Sequence, residues 1–214
     1  RRNRATALDD ITQAGTRALC EFLLRRLIMN IGFFYIPYYP VTSGRSIHGY
    51  QLVKGLAGKG HRILSCLGDG NPDCIHFKRS RAGAVKLARE ADVLYIRVAG
   101  TPVFSYLEQA TLLKLIRPRS LGVVWEVNAP VEELKASFPP GPFLDKLMRR
   151  ENRKRKALAR LVDGAIGVSD VLKDYIQNVL HIQKAYCIPN GSDPDHFLPK
   201  EPRQTPLSHL RDMF

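Results

Sequence analysis

The chain has 214 residues, 44% of them apolar and 25% charged, enough for one good-sized domain that buries well over half of its unfolded surface without disulfides or a metal. Thirty-three Lys and Arg against twenty Asp and Glu give a net charge of +13, which bears on partners (phosphates, nucleic acid or an anionic membrane face) rather than on fold. No apolar run reaches the ~18 residues of a membrane span, and Cys20, Cys66, Cys74 and Cys187 show no CxxC spacing, so a reduced, cytoplasmic setting is expected.

Residues 1–28 read as a basic helical extension. Leu19, Phe22, Leu23 and Leu27 fall on one helical stripe beside Arg25 and Arg26. That pattern suits a membrane-surface helix, a helix packed on its own domain, or an upstream fragment. From Met29 onward strands and helices alternate. MNIGFFYI, HRILSCLG, DVLYIRVAG, LGVVWEVNA, DGAIGVS and KAYCIPN are the predicted strands. SIHGYQLVKGLAGKG, RAGAVKLAREA, FSYLEQATLLKLIR, a long helix over residues 143–161, and DVLKDYIQNVL lie between them. Short apolar strands separated by helices predict a Rossmann-like, doubly wound, mainly parallel sheet of six or seven strands over residues 29–199, with helices on both faces. Residues 200–214 lose the pattern and read as a linker or the start of a further domain.

In such sheets ligands bind beyond the carboxyl ends of the strands. Four strand-ending loops there are unusual. The first, YIPYYPVTSGRSIHGY, brings Gly44 and Arg45 to the start of a helix, whose free N–H groups suit a phosphate or a sugar. The alternative is a plain connection capped by Ser46. In the second, Arg97 ends an apolar strand, so its charge must be paired in a salt bridge or face a cleft. In the third, Trp125, Glu126 and Asn128 interrupt a strand at its exit. A carboxylate there is costly unless it is hydrogen-bonded or functional, which leaves a role in the cleft or a buried structural pair. The fourth, CIPNGSDPDHFLP, ends its strand at Pro189 and turns at Asn190 and Gly191, with Asp193 and Asp195 placed to cap or brace the turn.

Other motifs are weaker. GLAGKG fails the G-x-G-x-x-G spacing and reads as a helix C-terminus with Gly60 turning the chain, which argues against a nicotinamide or flavin enzyme. The six histidines form no i, i+4 pair, and no metal site is expected. Neither a G-x-S-x-G elbow nor a GxxxxGK[ST] loop is present. MRRENRKRKALARL (148–161) is strongly basic, but on the same helix Leu144, Leu147, Met148, Leu158 and Leu161 make an apolar stripe. Most of its charge is therefore expected on a solvated face, with Arg153, Lys154, Arg155 and Lys156 available to phosphates.

The stretch DGAIGVSDVLKDYI…KAYCIPNGSDPDHFLP resembles the segment that closes the N-terminal domain of family-four-type (GT-B) retaining glycosyltransferases. The opening strand, its Pro- and Gly-containing loop and GKGHRI fit the same family over residues 29–199. The resemblance implies two Rossmann-like domains facing a cleft, the first for the acceptor and the second for the nucleotide-sugar donor. Gly44 with Arg45 then matches the family's glycine loop, Ser169 the serine that opens the helix after the fifth predicted strand, and Asn190 and Gly191 the closing loop. Ser46 and Arg97 join these as expected substrate contacts. SGRS stands where paired glycines are usual, and WEVNAP where many members have a histidine, so Glu126 and Asn128 become the candidate catalytic groups.

The expected chain is thus the acceptor-binding half of an enzyme that transfers a sugar from a nucleotide-diphosphate sugar to a hydroxyl with retention. Surface glycan or glycolipid synthesis is the expected setting, with a sugar or lipid-linked acceptor, no cofactor beyond the donor substrate and no obligatory metal. By itself it is expected to be inactive. Peripheral contact with the inner, anionic face of a membrane is compatible with this. The alternative is a basic module that binds nucleic acid or a membrane surface without catalysis, although no helix-turn-helix, RNP-like strand or zinc finger supports it.

Overall fold

The computed structural model describes residues 28–35, 41, 44–67, 70–99 and 105–190. Seven strands form one sheet: β1 (Asn30–Phe34), β2 (Arg62–Ser65), β3 (Cys74–His76), β4 (Val93–Val98), β5 (Gly122–Val127), β6 (Gly164–Gly167) and β7 (Ala185–Cys187). Every pairing is parallel, in the order β3-β2-β1-β4-β5-β6-β7. The helices are α1 (Gly44–Gly58), α2 (Arg81–Glu90), α3 (Ser105–Gln109), α4 (Pro142–Ala159) and α5 (Asp170–Asn178). This is the expected Rossmann-like α/β architecture. Among the described residues no helix is long and apolar enough to cross a membrane.

Right-handed crossovers distribute the helices unequally. The path from β1 to β2 runs one way along the sheet and puts α1 on one face, where Val53, Leu52 and Leu56 pack with Ile31, Phe33 and Ile63. Connections running the other way put α2, α3, α4 and α5 on the opposite face. Leu87, Leu107, Leu158 and Ile176 cover Leu94, Ile96, Val123 and Trp125 there. Among the described residues α1 is alone on its face. At the far end of that face Tyr186 and Ile188 are 60% and 54% exposed.

Local chemistry fixes the element ends. After α1 the chain turns through Gly60 at φ 87°, with Gly60 N–H bonding Ala57 O at 2.8 Å and His61 N–H bonding Leu56 O at 3.2 Å. Only glycine takes that backbone cheaply, as the GLAGKG reading expects. Ser80 caps α2 by accepting from Gly83 N–H at 3.1 Å. Arg117 Nη1 closes its other end on Arg89 O and Ala91 O at 2.9 and 2.8 Å.

Three elements differ from expectation. β3 is a three-residue edge strand paired to β2 alone, and its single aliphatic residue, Ile75, is exposed, so no apolar run announces it. The helix expected over residues 104–117 is α3 followed by a 3₁₀ stretch, Ala110–Ile116. Its tighter winding lets Thr111 Oγ1 accept from the buried Trp125 indole N–H at 2.7 Å. A second 3₁₀ stretch, Val131–Ala136, packs Val131 and Leu134 on Leu144 and Leu147 of α4.

Candidate functional site

Strand order reverses direction between β1 and β4, and in open parallel sheets the carboxyl edge at such a reversal is the ligand-binding edge. Register decides what faces it. Phe33 pairs with Tyr95, and Arg97 pairs with Glu126. Alternation along parallel strands therefore sends Tyr35, Tyr95, Arg97 and Glu126 to the α1 side of the sheet. The first turns of α1 lie over that side and deliver His48.

Glu126 is the hub. It is 1% exposed and accepts from three side chains: the Tyr95 hydroxyl and His48 Nε2 on Oε2, the latter at 3.3 Å, and Asn128 Nδ2 on Oε1. Asn128 faces two ways, since its Oδ1 also accepts from Arg97 Nη2 at 3.1 Å. The Arg97 guanidinium lies 4.5 Å from the centre of the Tyr35 ring. Tyr35 and Tyr95 in turn each stack on Phe33, at 5.3 and 5.5 Å between centroids. A line of polar groups thus runs over an aromatic floor, and His48, with 30% of its side chain exposed, is its open end.

The charges follow from these contacts. Burial alone would push the Glu126 carboxyl up, but hydrogen bonds from His48, Tyr95 and Asn128 reverse this and hold it below the usual carboxylate range. The bond to Glu126 raises His48 against the opposing effect of its partial burial. Burial, reinforced by the Glu126 charge, holds the Tyr95 hydroxyl protonated. Burial also lowers Arg97, while Glu126 and Glu133 pull it back up. With Nε2–H facing the carboxylate, the lone pair of neutral His48 resides on Nδ1, which can accept a proton or a hydroxyl hydrogen bond.

A pH profile follows. The Glu126 contribution to stability is present above the ordinary value of 4.5 and is lost as pH falls through its lowered folded value. The His48 contribution is present below 6.5 and is lost as pH rises through its raised folded value. Both are complete between these limits. Thermal melts of the wild type should show a loss of stability above pH 6.5 that His48→Gln removes; identical profiles would contradict the pairing.

The other candidate residues fall around this cluster. Gly44 and Arg45 open α1. Ser46 is buried inside its first turn, not at the cap position its alternative reading gave it, because the helix starts two residues earlier. Arg97 has no direct ion pair among the described residues; its side-chain acceptor there is Asn128 Oδ1. The Ser169 hydroxyl caps α5, accepting from Leu172 N–H at 3.3 Å. Asn190 is exposed beyond β7, on the same carboxyl edge. At ~4.8 Å per strand it stands roughly 10 Å from β5 and 19 Å from β1, outside the polar cluster. Gly191, Asp193, Asp195, the extension over residues 1–27 and the segment 200–214 lie outside the described residues.

The basic helix needs correction. Arg155 is buried, donating from Nε to Glu108 Oε1 at 2.9 Å, from Nη1 to Ala129 O at 3.0 Å and from Nη2 to Ala99 O. Lys154 pairs with Glu108 at 2.8 Å and also with Glu151. Both are engaged within the protein: Arg155 ties α4 to the strand exits, and Lys154 ties it to α3 through Glu108. Three residues of the cluster, His48, Tyr95 and Tyr35, had no functional signal in the sequence reading. The trace of His48 is its spacing, four residues before Leu52 and eight before Leu56, on the stripe that faces the sheet. Among the described residues no group of three or more His, Cys, Asp or Glu side chains is placed to hold a metal. No protein-family model matches the chain, and no curated protein matches it.

Proposed function

We propose that the chain supplies the acceptor wall of a glycosyltransferase that moves a sugar, with retention, from a nucleotide-diphosphate sugar to an acceptor hydroxyl. The observation that carries this reading is the His48–Glu126 pair at the carboxyl edge. A helix leaving β1 and a strand two places along the sheet converge on one hydrogen bond, leaving Nδ1 as an acceptor for a hydroxyl. Both Glu126 oxygens are engaged by donors, so Glu126 acts as a positioning residue that fixes the tautomer and tilt of His48. Asn128 links the carboxylate to Arg97. The resemblance of DGAIGVSD and CIPNGSDPDHF to the GT-B closing segment supports the same reading. In such an enzyme catalysis consists of orientation and of stabilising the departing diphosphate, and the donor contacts lie on a second Rossmann-like domain.

The test is a calorimetric panel of methyl hexosides and nucleotide-diphosphate sugars against the chain. At least one hexoside should bind with Kd of about 1 mM, and His48→Ala should abolish the heat. Nucleotide sugars should bind no better than the bare nucleoside diphosphates. The charge of +13 favours a second reading, a nucleic-acid-binding module. Labelled duplex retained at ~150 mM salt, with no hexoside heat, would establish that reading instead.

A further inference from the structure

Arg97 is 8% exposed, yet among the described residues only one of its nitrogens has a protein acceptor. Nη2 donates to Asn128 Oδ1 at 3.1 Å, while Nε and Nη1 are buried without a partner. The Tyr35 hydroxyl, on the ring that the guanidinium overlies, is likewise buried and unpartnered. Stacking uses the face of the guanidinium and leaves its N–H groups, which lie in the plane, free. A buried cation with unsatisfied donors is costly, and Glu126 and Glu133 offset this only through their charge, since the Glu126 oxygens are turned to His48, Tyr95 and Asn128. Two adjacent side chains, a cation with two unpartnered nitrogens and a hydroxyl that can donate or accept, therefore lie on the α1 side of the sheet, the side His48 enters.

We infer that Arg97, floored by Tyr35 and held by Asn128, binds an oxyanion, carboxylate or phosphate, carried by the acceptor. The acceptor is then an acidic sugar or a sugar phosphate rather than a neutral one. The identity of the carrier rests on the acceptor reading above; the oxyanion site does not. The donors suit the ligand: planar N–H groups match carboxylate and phosphate oxygens, and burial strengthens each bond relative to water. His48 Nδ1 takes the hydroxyl, and Arg97 anchors the acidic group of the same molecule.

The experiment uses the whole chain and its Arg97→Met and Arg97→Lys variants. Inorganic phosphate at 10 mM or so should raise the wild-type melting temperature by about 3 °C over sodium chloride at matched ionic strength. The rise should vanish in Arg97→Met and shrink in Arg97→Lys, which keeps the charge but not the planar donors. Arg97→Met without phosphate should melt no lower than the wild type, because the substitution removes an unpaired buried charge. A structural arginine would give the opposite result. Methyl glucuronide and glycerol 3-phosphate, titrated beside methyl glucoside and glycerol, separate the carboxylate from the phosphate source. The acidic member of the matching pair should bind about tenfold tighter, and only when Arg97 is present.

An equal phosphate shift in Arg97→Met, or a marked loss of stability in that variant, overturns the oxyanion site. Neither acidic ligand binding tighter than its neutral counterpart, with glucoside binding still dependent on His48, would overturn it while leaving the acceptor reading standing. Phosphate binding through Arg97 with no saccharide bound would keep the oxyanion site and remove sugar transfer.

Discussion

Replacing Glu126 with alanine is expected to cost about 3 kcal/mol and to abolish saccharide binding. The cost follows from what the carboxylate leaves behind. The Tyr95 hydroxyl, the Asn128 amide and His48 Nε2 all donate to it, and removing a buried acceptor strands its donors at ~1–3 kcal/mol each before relaxation. In a domain of this size that corresponds to a fall in melting temperature of about 6–12 °C. Glu126→Gln keeps the shape and one acceptor oxygen, so its stability should fall by roughly half as much. Its His48 should also lose the upward shift that the carboxylate imposes, measurable as an imidazole titration by NMR. If Glu126→Ala folds with unchanged stability, the carboxylate is not the hub described here.

Replacing Arg155 with alanine is expected to be more damaging, about 3–5 kcal/mol, although no part of Arg155 faces the crevice cluster. Its three donor nitrogens connect Glu108 to the carbonyls of Ala99 and Ala129, the residues just past β4 and β5. Arg97 and Asn128 lie one or two positions before those carbonyls, so Arg155 fixes the strand exits that present them. Lysine cannot replace it, because one ammonium does not span three acceptors in one plane. Arg155→Lys should therefore melt well below the wild type and bind saccharide more weakly, as denaturant unfolding and calorimetry would measure. Stability within about 0.5 kcal/mol of the wild type, with binding intact, would remove Arg155 from the site's support.

The sheet was legible in the sequence because parallel strands buried on both faces are written as short apolar runs, and five helices separate most of them. β3 was not, being three residues long with Ile75 exposed at an edge. Polar residues that break an apolar strand are conspicuous, and Arg97, Glu126 and Asn128 stood out for that reason. Tyr35 and Tyr95 did not, since an aromatic ring in a strand looks like core and here is core; only the Tyr95 hydroxyl on Glu126 and the Arg97 guanidinium over the Tyr35 ring join them to the polar cluster. The α4 helix shows the converse difficulty. Glu151 and Arg155 occupy gaps in the stripe made by Leu144, Leu147 and Leu158, and all five are buried. Read as charges they belonged to a solvated face; read by position they belonged to the core. Partners distant in sequence, Glu108 for Arg155 and His48 for Glu126, decide such cases.

The most direct measurement is a residue-by-residue map of saccharide binding on the labelled chain by NMR, using the hexoside or acidic glycoside that gives the largest heat. Perturbations should converge on the start of α1 around His48 and on the ends of β4 and β5, from Tyr95 to Val98 and Glu126 to Ala129, and should disappear in Glu126→Gln. Perturbations confined to the outer, basic side of α4, or an unperturbed His48 at saturation, would contradict the account.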